Sequence, residues 1–160
     1  CWSFYRKSQE GNKMTYNWKK YKQWRHLNEE KESCPAATQN VELNTKNRDS
    51  AIAADHIKYG PLNVDEPGDY WEKIAKKWDT TLEAAMKSRC LNCVAFDISP
   101  KMMECMPGST SDNQGILGYC WMHHFKCHSA RSCNTWAKGG PISKDEVSAD
   151  WAQRAKGADK

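Results

Sequence analysis

The chain of 160 residues is short of the side chains that usually fill a core. Leucine, isoleucine and valine are scarce, and phenylalanine occurs three times. Long hydrophobic runs are missing as well. No stretch reads as a transmembrane helix, and none has the apolar centre of a signal peptide. Neither sign of charge dominates. The net charge is +4 and is spread along the chain, so no nucleic-acid partner is expected. No nucleotide-binding glycine loop, HExxH, nucleophile elbow or paired-carboxylate motif occurs. Gly139-Gly140-Pro141 reads as a turn, and Asp69, Glu72 and Glu83 read as helix-capping residues rather than catalytic carboxylates. A non-enzymatic domain without a membrane span is therefore expected. The chain opens at Cys1 rather than Met, which fits either a processed form or a natural start at Met14.

What stands in place of the missing aliphatics is tryptophan and cysteine, eight of each. Tryptophan must supply much of the buried area. A chain this poor in aliphatic residues needs some further staple. Residues 1–13 look like an extension, and 14–160 like a single domain. Residues 15–32 read as a helix with Trp18, Tyr21, Trp24 and Leu27 on a core-facing stripe and lysines on the solvated side. Residues 34–68, rich in Asn, Asp, Pro and Gly, read as an irregular loop.

Four short helices then follow from capping signals. Asp69 and Glu72 open one with Trp71, Ile74 and Trp78 inward, and Thr80 and Glu83 open the next with Leu82, Ala85 and Met86 inward. Ser99-Pro100 starts a turn that delivers Cys105. Ser143 and Glu146 open the last, with Val147, Trp151 and Ala155 on one face and Gly157 as its stop. The expected fold is small and mixed, mainly α plus irregular loops, a single domain organised around a Cys-ligated metal cluster with its binding region at 88–136.

Six of the cysteines fall within 44 residues: Cys90, Cys93, Cys105, Cys120, Cys127 and Cys133. Single buried cysteines are common and cover Cys34 well, but not a group of six. Cys90-Leu-Asn-Cys93 has the spacing at which two thiolates turn toward one metal centre, shared by zinc and iron–sulfur sites. Val94 stands where a c-type haem motif needs His, and no βαβ pattern supports a thioredoxin-like pair. Zinc could use Cys90, Cys93, Cys120 and His123, with His124 and His128 nearby. Disulfides are the third class, with Cys127–Cys133 and Cys1–Cys34 as candidate pairs.

The run "CLNCVAF", followed by "CMPG" and "GYC", resembles the ligand pattern of the high-potential iron–sulfur proteins over residues 88–125. The resemblance implies one [4Fe–4S] cluster on Cys90, Cys93, Cys105 and Cys120 and a one-electron carrier with a redox partner protein. An aromatic residue three positions after the fourth cysteine belongs to that pattern. Position 123 is His, whereas Cys133 has Trp136 three residues on, so the fourth ligand is Cys120 or Cys133. More loosely, "YGPLNVDEPGDYWEKIA" and "GYCWMHHFKCHSARSCNTWAKGGPI" resemble small proteins encoded by tailed phages of marine bacteria, which implies no activity and leaves host cytoplasm, virion and periplasm open. Four thiolates on [4Fe–4S]²⁺ carry a net charge of −2. An apolar surround penalises −3 more than −1, so burial among Phe96, Met102, Met103, Tyr119, Trp121, Met122 and Phe125 would favour a high potential.

Overall fold

The computed structural model describes residues 18–23 and 34–158. Two compact units are present, Cys1–Ser33 and Cys34–Lys160. In the first unit, residues 18–23 are helical (α1). Trp18 and Tyr21 meet edge to face with ring centroids 6.0 Å apart. They are 62% and 38% exposed, so this part of the expected core-facing stripe is not buried. Trp24 and Leu27 lie outside the described residues.

The second unit is mixed α/β. Its helices are α2 (Ala36–Gln39), α3 (Val41–Ala53), α4 (Tyr70–Trp78), α5 (Leu82–Lys87), α6 (Pro100–Cys105) and α7 (Asp145–Ala158). Three short strands, β1 (Phe96–Asp97), β2 (Leu117–Cys120) and β3 (Phe125–His128), form an antiparallel sheet in the order β1-β2-β3. Cys120 pairs with Phe96 on one side and Phe125 on the other. Gly118 is required in β2, because a Cβ there would lie 2.5 Å from the Phe96 ring. Among the described residues no helix is long and apolar enough to cross a membrane.

The segment expected as an irregular loop holds the 13-residue α3. Its sequence, VELNTKNRDSAIA, has little amphipathic pattern, and its asparagines work as tertiary anchors rather than as turn formers. Asn40 caps the helix by accepting from Leu43 N at 3.0 Å. Asn44 Oδ1 accepts from Lys126 N (2.7 Å), and Asn47 Nδ2 donates to His124 O (2.7 Å). These side chains satisfy backbone groups on the outer side of the edge strand β3 and just before it.

The expected α4 and α5 form. Trp71, Ile74, Ala75 and Ala85 make a small separate core with Tyr70 and Trp78 against it. The caps differ from expectation. Asp69 makes no capping bond and pairs with Lys73 at 2.9 Å. Thr81, not Thr80, caps α5 by accepting from Ala84 N. Leu82 and Met86, expected inside, are 43% and 41% exposed. Ser99 precedes α6 without a side-chain capping bond. α7 begins at Asp145 and runs past Gly157, and Val147 faces out at 43% exposed. Fully buried Asp97 ties α7 to the sheet: its carboxylate accepts from Ser99 N (2.9 Å), Trp121 Nε1 (2.8 Å) and Ser148 Oγ (2.6 Å).

Candidate metal centre

Five cysteines, Cys90, Cys93, Cys120, Cys127 and Cys133, remain free thiols and line one cavity of about 20 Å³. The rest of its wall is Tyr59, Phe96, Met122, His123, Phe125 and Trp136. All five sulfurs arrive from short pieces of chain. Cys90 and Cys93 bracket a 3-10 turn (Cys90–Asn92) after α5. Cys120 ends β2, Cys127 is an inward residue of β3, and Cys133 lies in the loop beyond.

Backbone hydrogen bonds hold these pieces together in place of long strands. Cys90 N donates to Arg131 O (2.7 Å), Leu91 N to Ser129 O (3.2 Å) and Val94 N to Ala137 O (2.8 Å). Gly60 and Ser132 exchange both backbone bonds, and Asn134 N donates to Ile57 O (2.6 Å), which fixes the loop on either side of Cys133. Trp136 Nε1 donates to Arg89 O (2.8 Å) and Asn92 Oδ1 (3.0 Å), locking the two cysteine loops to each other. Gly140 crosses Cys93 so closely that a Cβ would overlap the Cys93 carbonyl.

The structure departs from the expected ligand set at one residue. Cys105, expected as the third ligand, is bonded to Cys34 (S–S 1.95 Å) across 71 residues of chain. A disulfide sulfur has no thiolate to offer a metal. α6 delivers Cys105 toward α2 instead, where Gln39 Nε2 donates to its carbonyl. The same bond replaces the expected pairing of Cys34 with Cys1, which lies outside the described residues, and Cys127 and Cys133 are not paired. Cys90, Cys93 and Cys120 do come together, and Cys133 joins them rather than competing with Cys120. Of the expected aromatic and Met surround, Phe96, Met122 and Phe125 line the cavity. Tyr119, Trp121 and Met102 are buried in the core around it. Tyr59 is the lining residue that sequence reasoning missed, because it sits in the segment read as loop.

The thiols are not alike. Burial pushes the Cys93 thiol up, against N–H donors from Ala137 and Ala95. Cys133 is pushed up to about 12 by burial, against the hydroxyl and N–H of Thr135. Cys120 is lowered, first by a hydrogen bond from Cys127, with the N–H groups of His123 and Met122 helping. Cys127 is raised far above the ordinary value by burial and by the adjoining Cys120 and Cys90 sulfurs. His123, the expected zinc ligand, reaches the cavity wall, with its Nε2 2.6 Å from Thr135 Oγ1.

Among the described residues, no three His, Cys, Asp or Glu side chains are poised around one metal ion. The sulfurs flank a void about the size of one water. A larger centre enters only as they move outward. Comparison with protein families, curated proteins and solved structures gives no match to this chain.

Proposed function

We propose that Cys90, Cys93, Cys120 and Cys133 hold one [4Fe–4S] cluster and that the protein is a one-electron carrier rather than an enzyme. The observation that carries this reading is the convergence of five free cysteines, Cys90, Cys93, Cys120, Cys127 and Cys133, on one cavity. Thiols gathered in this way can serve as buried thiolates once a cationic centre stands among them. The donor set suits such a centre: sulfur throughout, no carboxylate on the cavity wall, and Tyr59, Phe96, Phe125 and Trp136 around it.

The ligand set keeps "CLNC" and "GYC" of the family resemblance. It exchanges the Cys before Pro107-Gly108 for Cys133, whose Trp136 stands at the aromatic position three residues on. When bound, the cluster supplies one exchangeable electron. The chain's own residues exclude water, donate to the sulfurs and keep the more highly charged reduced state unfavourable, which supports a high-potential couple. Cys127, held within β3, is the one left outside the ligand set.

Metal analysis of protein purified anaerobically, with a visible spectrum, tests this. About four irons per chain and a brown colour are expected. Stoichiometric zinc in colourless protein would replace the carrier with a zinc-stabilised binding or virion-structural module on the same loops.

A further inference from the structure

We infer that Thr135 is a positioning residue whose hydroxyl, oriented by His123, donates to the Cys133 sulfur and raises the potential of the centre. The inference rests on the cluster reading above. Thr135 Oγ1 lies 2.6 Å from His123 Nε2 and 3.1 Å from Cys133 Sγ.

A hydroxyl has one proton to give. If it went to the imidazole, the sulfur would receive nothing. If Nε2 carries the proton, the ring donates to Oγ1 and the hydroxyl proton is free for the sulfur. A ligating thiolate only accepts, so both short contacts are hydrogen bonds in the second arrangement alone. The Nε2–H tautomer of His123 follows. The relay joins the turn after β2, which carries Cys120, to the loop after β3, which carries Cys133. It gives His123 a use other than the metal ligation its place in the sequence suggests. A hydrogen bond to a ligand sulfur favours the reduced, more negative state, so it moves the potential upward.

The test is the midpoint potential of the full, metal-loaded chain, measured by spectroelectrochemistry alongside iron content. Thr135→Val keeps the backbone N–H at Cys133 and removes only the hydroxyl. It should lower the potential and shift the sulfur-to-iron charge-transfer bands at full iron content, and Thr135→Ser should restore both. His123→Leu keeps the hydroxyl but removes what orients it, and should lower the potential by a smaller step. A wild-type potential in Thr135→Val at full iron content overturns the relay while leaving the cluster reading intact. If Thr135→Val does not retain iron, a wild-type potential in His123→Leu overturns it instead. Wild-type protein without iron removes the cluster reading and the relay together.

Discussion

Cys105 and Cys133 are buried to the same degree, 7% and 8% exposed, and each closes a short segment onto the core. Their partners differ completely. Cys105 meets another sulfur, Cys34, and its neighbourhood is sealed by a covalent bond and the Gln39 side chain. Cys133 meets no second sulfur in a bond. It meets the Thr135 hydroxyl and a cavity shared with four other thiols. Burial therefore does not distinguish a disulfide cysteine from a free thiol; what the chain folds against each sulfur does.

Exchanging the two cysteines for serine breaks this comparison most directly. Cys133→Ser should abolish or severely weaken iron incorporation, as should Cys90→Ser, Cys93→Ser and Cys120→Ser. Cys127→Ser should leave iron nearly intact. The double change Cys34→Ser with Cys105→Ser should keep the iron and lose stability instead. Opening a loop of 71 residues costs about 4 kcal/mol by chain entropy. Iron assay and denaturant unfolding of both variants decide it. Iron lost from the double variant and kept in Cys133→Ser would return Cys105 to the ligand set.

Gly140 sharpens the comparison from the backbone side, because it presses on the Cys93 loop and on nothing near Cys105. Gly140→Ala must push a methyl into the Cys93 carbonyl. Overpacking of this kind costs about 1–3 kcal/mol, and here the cost falls on a cysteine loop. A lowered melting temperature with weakened iron retention is expected. Unchanged iron binding would show that the 139–140 crossing gives way easily.

The two regions were unequally legible in the sequence. Local periodicity gave α4, with Trp71 and Ile74 buried, because that helix uses its own apolar stripe to pack on α5. "CLNC", "GYC" and "CNTW" each marked a cysteine that the fold brings to the cavity. Which of them cooperate was not legible, since Cys105 and Cys133 differ only in what the chain folds against them. The helix α3 was hidden because its asparagines carry no apolar pattern and find their use 77 and 82 residues away, at His124 and Lys126. The sheet was hidden for a similar reason: β1 has two residues and is defined by its partner rather than by alternation.

A pH titration of the metal-free protein separates the two cysteine classes again. A disulfide has no proton to lose. The Cys133 thiol stays protonated in the folded chain up to about 12, whereas its ordinary value is 9.0. Cys93 and Cys127 shift in the same direction, and Cys120 in the opposite one. Between those two values the unfolded chain has lost protons that the folded chain retains. Stability present below pH 9 should therefore decline as pH rises toward 12. Urea unfolding at stepped pH should show this decline in the wild type, and a shallower one in Cys133→Ser.

The smallest expected effect tests how α3 supports the strand that carries Cys127. Asn44 Oδ1 accepts from the Lys126 N–H, and Lys126 adjoins Cys127 in the edge strand β3. Asn44→Ala leaves that amide part-buried without its partner. The loss should be about 1 kcal/mol, because β3 keeps its pairing with β2 through Leu117–Cys120. Hydrogen exchange reads it locally: the Lys126 amide should exchange faster, while the Cys90 amide, bonded to Arg131 O, should keep its protection. If both amides lose protection together, α3 and the cysteine loops open as one cooperative unit. The disulfide side and the thiol side of the molecule would then not be separable by single substitutions on α3.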